Sequence, residues 1–345
     1  MCKLFRYLLG LHMNKVWSFI LLLPSLLFIS KFSMAYEVGV GIHPDGYYGN
    51  SDSILKLIQK YHFTSFRVDY RWDVIEKEKG VFTPPQNKTE KIIMDAKKYN
   101  IKPLVILGYG NRLYGGGKPK TEESIAAYCN FAGWTARHFK GQGVIYEIWN
   151  EWSNRKDKGA NDIDSAKAYV KLVKYASACI KRSDQSATII AGSFNPLDYI
   201  DLDWGVEIVK EGILNYVDGL SIHPYTWGSK RASRAEFNIH LLDKTHDDLL
   251  RISGSNKNID FYITEIGFPT NSGKPEYSEE FVASFAYKYI IMAKRMNYIK
   301  GVWWYDFIND GNNIKYREYN FGILNRDLSE KSIAPAIRSA NQQIR

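Results

Sequence analysis

Two glutamates, Glu151 and Glu265, each close an apolar run. The first run reads Val-Ile-Tyr-Glu-Ile-Trp-Asn-Glu-Trp over 144–152, and the second reads Phe-Tyr-Ile-Thr-Glu over 261–265. Both have the pattern of a buried strand that ends in a carboxylate. Even a neutral polar group loses about 2–7 kcal/mol when it is desolvated without a partner. An idle charge is therefore poorly placed at such a tip, especially among tryptophans. If the fold brings the two tips together, they are the raw material for paired-carboxylate chemistry, in which one group delivers a proton and the other supplies negative charge.

Other residues able to do chemistry stand at comparable places. Side chains alternate across a strand, so in Phe66-Arg67-Val68-Asp69-Tyr70 the apolar residues share one face, and Arg67 and Asp69 share the other. A buried arginine needs a partner. Asp69 or Glu147 would make Arg67 purely structural, whereas a bond to a catalytic carboxylate would hold that group ionised. In Leu220-Ser221-Ile222-His223-Pro224-Tyr225, Ser221, His223 and Tyr225 share the inner face. A satisfied core histidine is the alternative, but two polar rings at one strand end favour a site. Asn150 and Glu151 are adjacent and cannot both face the centre of a regular strand, so the strand must end or bulge there. No histidine or acidic cluster has ligand spacing, so neither metal nor cofactor is expected.

The elements that must position these residues follow from periodicity. Apolar runs over 38–42, 65–70, 102–107, 144–149, 188–193, 218–223, 260–265 and 301–306 alternate with segments of helical spacing. Ser51, Thr121, Asp164 and Ser278 are candidate caps for those helices. Eight strand and helix pairs predict an α/β fold, a single-domain (β/α)8 TIM barrel over 36–345, with chemistry at the carboxyl ends of the strands. An open doubly wound sheet would carry a glycine-rich first turn, and His43-Pro44-Asp45-Gly46 is not one. Polar residues do collect at the expected ends: His43, Tyr109, Asn111, Asn150, Glu151, His223, Tyr225, Glu265 and the segment from Trp304 to Asp306.

Residues 1–35 read as a signal peptide: Lys3, Arg6 and Lys15 precede an apolar run from Val16 to Ile29, and Ser33-Met34-Ala35 offers a cleavage site. Met13 is an alternative start. The run is shorter than the roughly 20 residues of a spanning helix, so an exported protein, periplasmic or secreted, is expected, with no membrane attachment after cleavage. Loss of four basic residues and no acidic one lowers the formal charge from +9 to +5. Without a basic stripe, nucleic acid is not the partner. The aromatic share of 14%, with 24 Tyr and 9 Trp, suits a protein that stacks on flat ligands as well as a large core. Cys129 and Cys179 are expected to be buried small hydrophobes, unpaired.

The ordered set of motifs resembles clan A of the glycoside hydrolases. Tyr-Glu-Ile-Trp-Asn-Glu at 146–151, Val-Asp-Gly-Leu-Ser-Ile-His-Pro-Tyr at 217–225 and Tyr-Ile-Thr-Glu-Ile-Gly at 262–267 resemble the fourth, sixth and seventh strand motifs of that clan. Phe-Arg-Val-Asp at 66–69 with Trp72, and Trp-Tyr-Asp at 304–306, resemble family 39, in particular its biofilm-polysaccharide endoglycosidases. Ile-Gly-Phe-Pro after Glu265 is more similar to family 5. The resemblance implies Glu151 as general acid/base, Glu265 as nucleophile and Asn150 on the hydroxyl next to the anomeric carbon. It implies that His223 and Tyr225 orient carboxylates and sugar, that Arg67 supports Glu265, and that Trp304 floors the subsite; His43, after the first strand, is a further substrate-binding candidate.

The tryptophans around Glu151 are expected to keep it neutral while Arg67 keeps Glu265 ionised. The predicted activity is a retaining, endo-acting hydrolysis of a bacterial extracellular or cell-envelope polysaccharide by a monomer. An exo-glycosidase on oligosaccharides and a non-catalytic glycan-binding barrel are the alternatives. A lyase or small-metabolite enzyme would want a metal cluster or a phosphate loop, and Gly115-Gly116-Gly117 lacks the helix start for one. Tyr109, Tyr114, Trp152, Tyr225 and Trp227 are candidates to line a groove. Arg112, Lys118, Arg155, Lys156, Lys230, Arg231 and Arg234 are either a solvated rim or contacts for an acidic polymer, a charge that Asp157, Asp162 and Asp164 dilute.

Overall fold

A computed structural model describes residues 36–154, 159–227, 229, 233–256, 258–270 and 277–345. The leader assigned to 1–35 lies outside them. Ten strands occur among the described residues: β1 (Glu37–Gly41), β2 (Ser65–Arg71), β3 (Glu76–Glu78), β4 (Val81–Phe82), β5 (Lys102–Gly108), β6 (Ile145–Ile148), β7 (Thr188–Phe194), β8 (Gly219–Ile222), β9 (Phe261–Ile266) and β10 (Ile299–Trp304). Eight of them close a parallel barrel in the order β1-β10-β9-β8-β7-β6-β5-β2, and β3 and β4 form a separate antiparallel ribbon. This is the predicted (β/α)8 barrel. Each barrel strand starts and ends within two residues of its sequence assignment, and the eighth is shifted two residues earlier at both ends.

The helices are α1 (Ser51–Lys60), the short α2 (Trp72–Ile75), α3 (Lys88–Asp95), α4 (Glu122–His138), α5 (Ile163–Ser183), α6 (Tyr199–Lys210), α7 (Ala235–Ser253), α8 (Glu279–Arg295) and α9 (Ile333–Gln343). Thr121 caps α4 in a capping box with Ser124, and Ser278 caps α8. The caps of α1 and α5 are Asn50 and Asp162 rather than Ser51 and Asp164, because these side chains accept the free backbone N–H groups of the first turn. No helix among the described residues is long and apolar enough to cross a membrane.

The apolar core lies between the outer face of the barrel and the helices. Phe66, Val68 and Tyr70 of β2, Tyr146 and Ile148 of β6, and Leu220 and Ile222 of β8 are all buried there. The inner face is polar above and aromatic below. Trp303 fills the lower barrel, donates from Nε1 to Ser65 Oγ at 2.9 Å and faces Tyr262. A Cβ on Gly39 would sit 2.0 Å from its indole, so β1 needs glycine at that level.

Cys129 on α4 and Cys179 on α5 form a disulfide with a Cα separation of 5.6 Å. This corrects the expectation of two unpaired cysteines. The helices pack side by side, which brings together two positions whose 50-residue separation in sequence gave no hint of contact.

Candidate active site

The expected constellation assembles at the carboxyl ends of the strands. β6 stops at Ile148, and positive φ at Trp149 (66°) and Glu151 (47°) reverses the backbone, so that Asn150 and Glu151 both reach the barrel mouth. On β9 the register slips between Ile263 and Ile266, a bulge that turns both Thr264 and Glu265 inward. A second irregularity in β7, between Gly192 and Phe194, aims Ser193 at the same centre.

Arg67 ties these pieces together. Its Nε bonds Glu147 Oε2 at 2.7 Å, Nη1 bonds Glu265 Oε1 at 2.5 Å and Nη2 bonds Asn150 Oδ1 at 2.8 Å. Sequence left open whether Arg67 is structural or functional, and the guanidinium serves a fully buried structural carboxylate and a site carboxylate at once. Glu265 also accepts from Tyr225 Oη at 2.9 Å. His223 Nδ1 lies 3.2 Å from Glu151 Oε1 and 3.7 Å from Glu265 Oε2, and carboxylate oxygens of the two glutamates are within 4.8 Å of each other. Asn154 Nδ2 donates to Glu151 Oε2 at 3.1 Å.

The electrostatics of Glu151 differ from expectation. Burial pushes its pKa up, but the hydrogen bond and positive field of His223 outweigh it and hold the carboxyl below its ordinary value. For His223, burial pulls the pKa down, and Glu265 and Glu151 more than reverse that. The tryptophans do not set the balance because they turn away: Trp149 packs on Tyr109 and Tyr128, and Trp152 is fully buried with Nε1 on Ser165 Oγ at 3.0 Å. Trp152 therefore lines no groove.

Trp304 is also misplaced by the sequence reading. In register, Gly39 pairs with Trp303 and Val40 with Trp304, so Trp304 faces outward and packs near Phe285 of α8. Counting alternation back from Asp306 fails because the strand ends at Trp304. Tyr305 takes the place at the mouth, 5.2 Å from Phe321 and 6.1 Å from the His43 ring. His43 Nδ1 sits 2.8 Å from Asp310 Oδ1 and 3.2 Å from Asp306 Oδ2. Burial lowers its pKa, and the two aspartates overcome that and push it well above the usual value. Asp69 accepts from Tyr109 Oη at 3.2 Å on the same side.

Glu151, His223 and Glu265, like His43, Asp306 and Asp310, bring three possible metal donors within 4.8 Å of one another. In each trio the histidine already lies within ion-pair distance of both carboxylates.

Beside Glu151 a cavity of about 760 Å³ opens over the loops after β6, β7 and β8, lined by Asn195, Asp198, Asp201, His223, Tyr225 and Trp227 among others. That volume falls in the usual range of ligand sites, about 300–1,000 Å³. Trp227 contacts Tyr225 and Phe321, and the Arg317 guanidinium lies 4.8 Å above its ring. Tyr114 stacks on Trp72 instead of facing the cavity. Sequence reasoning missed Asn195, Asp198 and Asp201. A polar residue just past a strand end, the signal used elsewhere, would have found Asn195. Arg155, Lys156, Asp157, Lys230 and Arg231 lie outside the described residues. Among those described, the cavity lining has no lysine or arginine.

Residues 33–307 match the family model described as Cellulase (glycosyl hydrolase family 5). No curated protein matches the sequence. A family 39 glycoside hydrolase from the gut symbiont Bacteroides cellulosilyticus WH2 superposes with a TM-score of 0.73 at 24% identity, over 89% of this chain and 64% of that one. This chain thus spans just under two thirds of that protein. A GH5_18 protein from Streptomyces cattleya in complex with GlcNAc gives a TM-score of 0.69 at 13% identity, over 90% and 81% of the two chains. The endo-beta-1,4-mannanase from Thermotoga petrophila gives 0.64 at 18%, over 90% and 77%. At these identities the likenesses establish the barrel, and the family rests on the sequence match. The motifs pointed to the clan, with most of the detail resembling family 39 and the segment after Glu265 family 5; the family model decides for the latter, and the chain belongs to the cellulase family, glycosyl hydrolase family 5, a family of glycosidases.

Proposed function

We propose that this protein is an exported, retaining, endo-acting glycosidase in which Glu151 is the general acid/base and Glu265 the nucleophile. The observation that carries the reading is the approach of the two carboxylates to within 4.8 Å across the mouth of the barrel. Retaining enzymes place their carboxyl groups about 5–5.5 Å apart, and inverting ones leave about 6.5–9.5 Å for a water. Glu265, held by Arg67 and Tyr225, attacks the anomeric carbon. Glu151 protonates the leaving oxygen and then activates the water that releases the sugar. Asn150, fixed by Arg67, binds the neighbouring hydroxyl. His43, with Asp306 and Asp310, meets hydroxyls on the opposite side of the ring from the cavity.

The open cavity beside Glu151 supports binding of a polymer through several residues, hence internal cleavage. Its hydroxyl, amide and aspartate lining favours a neutral polysaccharide over an acidic one. Export is supported by the leader pattern and by the Cys129–Cys179 disulfide, since such bonds persist in oxidising compartments.

A panel of neutral and acidic exopolysaccharides, offered to the wild type, Glu265→Gln and Glu151→Ala, tests the assignment. Glu265→Gln should be inactive on all of them. Glu151→Ala should lose turnover on glycans and regain it with azide on an activated aryl glycoside. Undiminished hydrolysis by Glu265→Gln, or no azide rescue, overturns the roles.

A further inference from the structure

Below the two carboxylates runs a chain of hydrogen bonds that fixes more than position. Glu147 is fully buried and ion-paired with Arg67, so its carboxylate only accepts. Its Oε1 receives Ser193 Oγ at 2.7 Å and Thr264 Oγ1 at 3.0 Å. Thr264 has a single hydroxyl hydrogen. Aimed anywhere else, it would leave two oxygen lone pairs facing each other in a dry interior, and an unsatisfied buried acceptor costs about 1–3 kcal/mol. Directed to Glu147, it leaves the Thr264 oxygen as an acceptor for His223 Nε2, 3.1 Å away.

From this directionality we infer that Thr264 and Glu147 are positioning residues that fix the tautomer of His223, keeping a hydrogen on Nε2 so that Nδ1 and Glu151 share one mobile proton. The inference rests on the acid/base reading of Glu151. The pair has two forms: imidazolium beside a Glu151 carboxylate, or Nε2–H imidazole accepting from a Glu151 carboxyl group. Conversion breaks one N–H bond and forms one O–H bond, with no change in the charge of the pair. The opposite tautomer beside an ionised Glu151 carries one proton fewer and a charge of −1, and its Nδ1 hydrogen could pass to Glu151 and the leaving oxygen only by leaving an imidazolate. The charged and titratable groups facing the ring are Glu151 and Glu265 at Nδ1, Arg67 across the site, and Tyr225 further along its own strand end. Glu265 favours the imidazolium while ionised, so its conversion to a neutral glycosyl ester removes one of the charges that hold the proton on His223.

The test compares Thr264→Val, which deletes the hydroxyl at nearly constant shape, with Thr264→Ser, which keeps it. The first readout is imidazole nitrogen NMR of His223, assigned with a His223→Asn sample. The second is the pH dependence of kcat/KM on the phenyl and dinitrophenyl glycosides of an oligosaccharide from the polysaccharide that the wild type cleaves. Wild type and Thr264→Ser should show Nε2–H in the neutral form, and Thr264→Val should show Nδ1–H. Thr264→Val should also move the basic limb to lower pH and lose at least about tenfold in kcat on the phenyl glycoside. The dinitrophenyl glycoside, whose leaving group needs no acid, should be spared. Nδ1–H in the wild type, an unchanged tautomer in Thr264→Val, or equal losses in Thr264→Ser and Thr264→Val would overturn the inference. A tautomer switch with no change in leaving-group dependence supports control of the His223 tautomer by Thr264 and refutes instead the acid role of Glu151.

Discussion

Replacing Arg67 by methionine probes the centre of the site most severely. Methionine retains much of the aliphatic stem but removes the hydrogen bonds to Glu147, Glu265 and Asn150. Glu265 lies at the mouth, where water can reach it once the guanidinium is gone. Glu147 is 0% exposed and would keep only two hydroxyl donors for a full charge. Breaking a buried pair by deleting one partner costs about 3–5 kcal/mol, a large part of the roughly 5–15 kcal/mol that holds a domain together. Removing the stranded charge as well, in Arg67→Met/Glu147→Gln, should recover much of that loss, because no charge is left buried and the amide oxygen still accepts from Ser193 and Thr264. Hydrolysis should not recover, since Glu265 and Asn150 still lack their shared donor. Urea unfolding followed by tryptophan fluorescence gives the stabilities, and turnover on a polysaccharide cleaved by the wild type gives the activity. A double variant as unstable as the single one, or one that regains turnover, would show that the guanidinium does not serve both carboxylates in the way described.

Two further outcomes are expected. The Cys129–Cys179 bond closes a loop of 50 residues, for which chain entropy gives about 4 kcal/mol; unfolding with and without reductant should differ by a midpoint shift of that order, and Cys129→Ser/Cys179→Ser should abolish the difference. Lys331 is buried against Asn309, Thr270 and the carbonyl of Asn320, and burial lowers its pKa from 10.5 to about 8. The unfolded chain therefore binds this proton more tightly than the folded one. This contribution to stability is greatest above pH 10.5 and is lost as pH falls to about 8, a change of roughly 3 kcal/mol. Stability measured across that window should rise more steeply with pH in the wild type than in Lys331→Met, and parallel slopes would exclude the effect.

The barrel was legible because eight apolar runs of strand length alternate with helical spacing, and because inward polar residues such as Arg67 and Ser221 break the apolar pattern at every second position. Glu151, Glu265, His223 and Tyr225 were legible for the same reason, since a charged or polar group at a strand tip has no packing role to explain it. Alternation fails where the backbone is irregular. The bulge in β9 puts Thr264 and Glu265 on the same side, so a strict two-residue period that selects one rejects the other. Ser193 was hidden by the irregularity in β7, and Trp304 was assigned to the wrong face because the period was carried past the end of β10. The disulfide was illegible for another reason: it depends on the rotation of α4 against α5, which no local pattern encodes. The β3–β4 ribbon, Glu-Lys-Glu paired with Val-Phe, is too short to show a strand period.

The loop between β7 and α6 and the first turn of α6 supply Asn195, Asp198 and Asp201 to the cavity but none of the groups that touch Arg67 or the two glutamates. Under the proposed function, preference for what lies beyond the cleaved bond rests on Asp198 and Asp201, which can change without touching the residues that break it, whereas Asn195 is tied to the Tyr225 carbonyl at 2.8 Å. A lineage of such barrels can change its diet by editing one surface turn while its machinery for breaking the linkage stays the same.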